Sequence, residues 1–318
     1  MKSKITALII GLCITTGSVI AQDWEYGLFI GPAQYQGDLS QSQVTWKYTR
    51  PQGGAFARYN LNPRICFKGG INYGNVKGDD KGSGNKWSQD GKTPLDFKAS
   101  GWKYGSTITS SKEDDSRYDR RKRNLNFTSN ILEVTAQVEW NIFRFIPGSR
   151  RYRWTPYLLA GFSVFRFNPK TDLNGTTYKL RNYITELDKV GPNGTVKKYS
   201  LISFAIPTGI GVKYNLGSLW SVGFEMAGRK TFTDWLDDTH ANWPGTAITA
   251  GSTDQLLSDR SGVVINPATG KTYPGDMWLN TIPNVQKVNR GDPKDKDTYI
   301  FTGFTISKTI RPYGCTNF

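Results

Sequence analysis

The sequence predicts an all-β protein, an eight-stranded antiparallel transmembrane β-barrel with short periplasmic turns and long extracellular loops. Three observations carry that prediction. The N-terminus has the layout of an export signal, eight segments place apolar residues at every second position, and the links between those segments alternate between short and long.

Export comes first because it sets the compartment. Met1-Lys2-Ser3-Lys4 is a short basic segment, Ile5 to Ile20 is mostly apolar and uncharged, and Val19-Ile20-Ala21 precedes Gln22. The expectation is a signal peptide at 1–21, cleaved after Ala21, leaving 22–318 as the barrel and its tail. The apolar run is shorter than the ~20 residues a membrane helix needs. Cys13 follows Leu12 inside that run, so a lipid-modified cysteine is not expected.

The strands follow in order: Trp24–Tyr35, Gly53–Asn60, Ile65–Asn75, Phe127–Phe143, Thr155–Phe167, Leu201–Tyr214, Trp220–Phe232 and Tyr299–Ile310. The fourth is the clearest, with Leu132, Val134, Ala136, Val138, Trp140 and Ile142 on one face and Glu133, Thr135, Gln137, Glu139 and Asn141 on the other. The links 61–64, 144–153 and 215–219 are short, whereas 36–52, 76–126, 168–200 and 233–298 are long. A soluble β-sandwich would alternate too, but has no reason to sort its loops by parity. Pro32, Pro156 and Pro207 fall inside strands, where local irregularity is expected.

If the apolar face meets lipid, the opposite parity points inward. That set holds Glu25, Arg58, Lys68, Glu133, Glu139, Lys213, Glu225 and Arg229. Eight strands enclose a space just wide enough for side chains. Charges there must pair or stay hydrated, as an ion-pair network closing the lumen or at the rims in water. Either arrangement predicts no sizeable conductance.

Composition and motifs exclude other classes. There are 41 Lys+Arg against 26 Asp+Glu, a net charge of +15, but an exported chain does not meet nucleic acid. Three cysteines and one histidine are a poor basis for a zinc or iron–sulfur site, so no metal or cofactor is expected. Thr269-Gly270-Lys271-Thr272 resembles the end of a phosphate-binding loop, but Ile265 stands where its first glycine belongs. Gly209-x-Gly211 opens no helix, and no Gly-x-Ser-x-Gly elbow occurs. His240 is the only histidine, so Ser–His lipid chemistry would have to use it, and simple exposure is the plainer expectation. Neither an enzyme nor a small-molecule substrate is expected.

Two basic clusters remain. Arg120-Arg121-Lys122-Arg123 precedes the fourth strand, near Asp114, Asp115 and Asp119, and is either a contact to lipopolysaccharide phosphate or solvated loop charge. Arg144, Arg150, Arg151 and Arg153 lie in the second periplasmic turn with no acid among 144–153, suited to anionic lipid headgroups or to an acidic partner protein. Cys66 and Cys315 both fall on the periplasmic side, either as a disulfide or as two free thiols. Phe318 is a terminal aromatic, but Pro312 intervenes, so the assembly signal is expected in Tyr299, Phe301, Phe304 and Ile306.

Four stretches in order carry a family resemblance: Gly31-Pro32-Ala33-Gln34-Tyr35-Gln36-Gly37-Asp38-Leu39; Thr155-Pro156-Tyr157-Leu158-Leu159-Ala160-Gly161 with Phe165-x-Phe167-Asn168-Pro169; Ser203-Phe204-Ala205-Ile206-Pro207-x-Gly209-x-Gly211-x-Lys213-Tyr214; and Arg229-x-Thr231-Phe232-Thr233-Asp234-Trp235-Leu236-Asp237-Asp238. Together the chain resembles the PorG-like outer-membrane proteins of Bacteroidota, departing from them at Trp235, usually Tyr, and at Thr239-His240, usually Val-Ser. The resemblance implies a non-catalytic component of the type IX secretion system, tied to gliding motility. It would dock from its periplasmic side onto a ring of a PorK/GldK-like lipoprotein and a PorN/GldN-like protein. The expected docking face is Arg144, Arg150, Arg151 and Arg153 with the tail residues Pro312, Tyr313 and Phe318 of 311–318.

Overall fold

Twelve strands, one short α-helix and three 3-10 turns stand in a computed structural model that describes residues 23–40, 48–80, 125–173, 175–217, 219–244, 247–249, 252–258, 260, 263–265, 272–274 and 290–310. The export segment, Arg120–Arg123, Cys13, Cys315 and the tail residues Pro312, Tyr313 and Phe318 lie outside the described residues.

Eight strands form the barrel: β1 (Asp23–Gln36), β2 (Arg50–Asn60), β3 (Ile65–Asp79), β4 (Asn126–Asn141), β5 (Trp154–Arg166), β8 (Ile202–Gly217), β9 (Trp220–Thr231) and β12 (Thr298–Ile310). Each pairs antiparallel with its neighbours in the order β3-β2-β1-β12-β9-β8-β5-β4, and β4 closes the ring onto β3. Above β4, β6 (Pro169–Leu173) pairs with Thr128 and Ser129, and β7 (Thr176–Lys179) pairs with β6. The outer loops add α1 (Thr253–Ser258) and a hairpin of β10 (Val263–Ile265) with β11 (Thr272–Pro274).

The alternation decides which face meets lipid. Leu28, Ile30, Ile71, Val134, Phe162, Ile210, Phe304 and Ile306 stand on the outside and are exposed in the isolated chain. At the short-turn end, Trp24, Trp140, Trp154, Tyr214 and Trp220 point outward as an aromatic girdle, the side chains favoured at a membrane–water interface. Because each strand of the closed ring pairs with a neighbour on both sides, no sheet edge is left to face hydrocarbon. The chain is an outer-membrane-type barrel.

Three sequence expectations change in detail. The ladder carries β2 down to Arg50 and β3 on to Asp79, because Gln52 pairs with Gly74 and Asp79 with Asn126. Strand β4 stops at Asn141, two residues before Phe143, where the Ile142 amide donates to the carbonyl of Pro156 and the chain leaves the wall. Pro32 and Pro207 stand at gaps but cause no bulges, and Pro156 pairs with Val212 without a break. Pairing of β1 with β12 passes from Ile30↔Phe304 to Ala33↔Phe301 in unchanged register, and pairing of β5 with β8 does the same beside Pro207. A missing N–H interrupts the ladder locally without shifting it. The one register shift on the β8–β9 ladder is in its tight turn, at Asn215/Gly217.

The interior has two halves. The periplasmic half is polar. The outer half is an apolar core of Phe29, Tyr35, Phe127, Ile131, Phe165, Phe167, Tyr299 and Phe301, capped by Leu180, Leu236 and Leu257 from the loops. In β12, therefore, Tyr299 and Phe301 point inward while Phe304 and Ile306 face out, so those four aromatic and aliphatic residues do not share one surface.

Candidate functional site

Three regions collect the chemistry-bearing side chains: the lower lumen, the outer cap and the periplasmic rim.

In the lumen, all eight of Glu25, Arg58, Lys68, Glu133, Glu139, Lys213, Glu225 and Arg229 are buried. Six form one cluster around Glu139. Arg58 reaches Glu139 at 2.9 Å and Glu25 at 2.8 Å, and Lys213 reaches Glu139 at 3.0 Å. Lys68 stands 2.6 Å from Glu225 and 3.8 Å from Glu139. Neutral donors complete the set: Asn60 and Ser307 donate to Glu25, and the Tyr157 hydroxyl donates to Glu225 at 2.8 Å. Register brings this about, since Glu25, Arg58 and Lys68 are successive partners across β1, β2 and β3. Tyr157 fits because Gly211 faces it; a Cβ there would sit 2.3 Å from its ring. The other two charges pair higher up, Arg229 with Glu133 at 3.4 Å, the guanidinium lying 4.5 Å over the Phe301 ring.

Below this cluster, Phe145 from the second short turn is buried, its amide donating to the carbonyl of Pro63 and its ring 5.1 Å from Lys213 Nζ. Cys66 is buried on the inner wall as a free thiol, its Sγ donating to Asn60 Oδ1 at 3.0 Å. Its distance to Cys315 falls outside the described residues.

The outer cap is built on the segment Thr231–Ala241. Thr231 Oγ1 lies 2.7 Å from the carbonyl of Asp297 and 2.8 Å from that of Thr233, and its one proton goes to one of the two, where the chain folds inward over the mouth. Trp235 then stacks on Tyr199 at 4.8 Å, and Leu236 enters the core. Asp238 turns the chain with φ of 64°, a conformation aspartate tolerates better than most residues. Its carboxylate accepts from Lys189 Nζ at 2.8 Å, from the Tyr199 hydroxyl at 2.8 Å and from Thr185. Glu186 accepts from the amides of His240 and Ala241 and from Arg290. Burial nonetheless pushes Glu186 upward, since desolvation outweighs Arg290.

A tighter acidic group lies beneath. The Tyr35 hydroxyl is 2.6 Å from Asp237 Oδ2 and 2.8 Å from Asp297 Oδ1. A phenol has one proton to donate. The second contact therefore needs a proton on one of the carboxyls. Burial, then the negative charges of Asp297 and Asp38, push Asp237 well above the usual carboxylate range, and burial followed by Asp234 does the same for Asp297.

His240 belongs to this cap and is not simply exposed. Its Nδ1 lies 2.6 Å from Asp234, its Nε2 3.5 Å from Asp188, and its ring packs on Trp235. Both nitrogens face carboxylates; among the described residues no serine hydroxyl is bonded to the ring, and no group of three or more His, Cys, Asp or Glu is placed to hold a metal.

At the periplasmic rim, Arg144, Arg151 and Arg153 line a recess of about 410 Å³ with Phe143, Tyr152 and Trp154. Arg64 from the first short turn joins them, a residue that sequence reasoning missed because nothing local marks it. Arg150 does not line the recess.

Residues 95–244 match the family model described as a domain of unknown function, DUF6089. That match covers a little under half of the chain. No curated protein sequence matches. Among solved structures, the attachment invasion locus protein Ail of Yersinia pestis, in complex with the heparin analogue sucrose octasulfate, aligns over 92% of this chain and 100% of its own, at 7% identity and a TM-score of 0.37. Neisserial surface protein A aligns over 90% and 96%, at 9% identity and a TM-score of 0.36. The N-terminal β-barrel domain of Pseudomonas aeruginosa OprF aligns over 91% and 98%, at 8% identity and a TM-score of 0.33.

Proposed function

We propose that this barrel is a non-enzymatic outer-membrane component of a type IX secretion system, exported with residues 1–21 removed. Its role is to dock a periplasmic ring of a PorK/GldK-like lipoprotein and a PorN/GldN-like protein onto the membrane. The observation that carries the reading is a barrel filled at both ends. An ion-paired lumen lies above Phe145, and an aromatic core lies below the loop cap, so the molecule is built to hold a position in the membrane. Exposed arginines at the periplasmic edge supply charge for an acidic partner. The ordered four-stretch resemblance supports this choice of machine.

Affinity capture from detergent-solubilised envelopes tests this directly. The wild-type chain should bring down the two ring proteins, and reversing Arg144, Arg150, Arg151 and Arg153 to glutamate should reduce their yield. Unchanged co-purification would remove the arginines from the docking face. In a planar bilayer the purified protein should give no stable single-channel current.

The cap supports a second reading, a barrel that acts outward through its loops as an adhesin or envelope-stability protein. The loops 168–200 and 233–298 are tied to each other through Asp238 and Glu186, and to the barrel through Asp237. Genes for the ring proteins next to this one would favour the first reading over the second.

A further inference from the structure

We propose that the recess between the first two periplasmic turns binds the phosphate of an anionic inner-leaflet phospholipid, of the phosphatidylglycerol class. The site goes beyond the docking reading and rests only on the barrel lying in a membrane.

Its depth comes from the girdle. Trp154 opens β5 on the same outward parity as Leu158 and Phe162, and it pairs with Tyr214, another outward aromatic at the same end. Indole and phenol side chains at that position mark headgroup level. Phe143 packs edge-on to Trp154 at 5.1 Å. One wall of the recess is thus apolar and faces the acyl chains.

The other wall is cationic and held in shape. Arg64 Nη1 donates to the carbonyl of Ile142 at 2.9 Å, which stitches the first turn to the second. Ser149 Oγ accepts the amides of Arg151 and Tyr152, and Gly148 turns the chain with φ of 78°. The Arg151 guanidinium lies 5.6 Å from the Tyr152 ring centre. Neither 61–64 nor 142–154 contains an acid, and among the described residues no ion pair involves Arg64, Arg144, Arg151 or Arg153.

Guanidinium groups match phosphate oxygens in a forked geometry. Four of them, with no ion pair among the described residues, favour a lipid of net negative charge over a zwitterionic one. A free phosphate would use the arginines but leave Trp154 and Phe143 idle; a phospholipid uses both walls. Arg150, outside the recess, stays available to a protein partner.

The test is native mass spectrometry of the purified full-length barrel, with no ring protein present, after exposure to phosphatidylglycerol or phosphatidylcholine of identical chains. Retention of phosphatidylglycerol should exceed that of phosphatidylcholine by about tenfold or more. The triple variant R64Q/R151Q/R153Q should lose that preference, and R150Q should keep it. Equal retention of the two lipids by wild-type protein would overturn the site, as would a triple variant that keeps the preference. Inorganic phosphate should fail to displace the lipid at equal concentration; displacement would show that a free anion is the true occupant. A wild-type barrel that captures no ring protein yet keeps the lipid preference would break the docking reading alone.

Discussion

The lower lumen and the outer cap are both buried and both crowded with carboxylates, but they settle their charge by different chemistry. In the lumen four acids meet four bases, and Glu139 alone touches Arg58, Lys213 and Lys68. In the cap, Asp237 and Asp297 share one tyrosine hydroxyl with no cation beside them among the contacts they make. The first arrangement needs its carboxylates ionised. The second needs at least one proton retained. The same chemical edit, carboxylate to amide, should therefore cost much in the lumen and little in the cap.

The largest effect is expected from Glu139→Gln. The amide is close in shape but carries no charge, so Arg58, Lys213 and Lys68 keep only Glu25 and Glu225 between them. Removing one partner from a buried charge network costs about 3–5 kcal/mol. Urea unfolding of the refolded barrel in micelles would read this as a lower midpoint, and an unchanged midpoint would show that water enters the lumen and screens the cluster.

Next is Tyr35→Phe. The ring keeps its edge-on contact with Phe127 at 4.7 Å, so packing is preserved. Two buried carboxyls lose the hydroxyl that donates to one and accepts from the other, at about 1–3 kcal/mol for unsatisfied polar groups. The loss should appear as faster proteolysis of the loop after β9, with β-sheet content unchanged. Equal cleavage rates would remove the hydroxyl from the forces that hold the cap.

Part of this contrast was legible in the sequence. A wall that must be apolar outside at alternate positions, and turns sorted by length, reveal eight strands and place the eight lumen charges on one inner parity. The cap was not legible. Tyr35 lies 202 residues from Asp237 and 262 from Asp297, and no local pattern joins them. The aromatic inner core was missed for a different reason. The rule of apolar outside and polar inside assumes a wet lumen, whereas the outer half of this barrel packs Phe127, Phe165 and Phe301 like a soluble core. Strands β6 and β7 are short and lack alternation, so the hairpin in 168–200 was missed although Asn174-Gly175, a common hairpin-turn pair, stands between them in the sequence.

Asp237→Asn should change stability by less than about 1 kcal/mol at neutral pH, since an amide there can donate to the Tyr35 oxygen while the Tyr35 hydroxyl donates to Asp297, with no charge at position 237. Set beside Glu139→Gln, this is the sharpest form of the comparison. Hydrogen exchange at Leu236, whose amide donates to Asp297 at 2.9 Å, reports on the cap locally. A marked fall in its protection in the variant would mean that Asp237 is held ionised, and the proton-sharing account would fail.

The smallest effect is a dependence of the cap on pH, and its sign follows from the raised carboxyls. Asp237 and Asp297 titrate above their ordinary range when folded, because burial and each other's neighbours favour the neutral acid. In the unfolded loop they return to about 3.9. Below that value both states are protonated and the cap keeps its full stability. As pH rises past it, the unfolded loop gives up its protons first, so folding is progressively disfavoured until the folded carboxyls also ionise. Groups facing the pair from each packed element are Asp38 and Tyr35 at the end of β1, and Asp234 with His240 and Lys296 on the loops. Of these, Asp234 is also pushed up by burial and adds to the same trend. Protection factors at Leu236 and Thr239 should therefore decline as pH rises from about 4, while amides of β4 beside the Glu139 cluster hold theirs. In Asp237→Asn the decline should shrink, because one of the two protons at stake is gone. A profile that rises with pH instead would mean that the two carboxylates are ionised when folded and held by a cation.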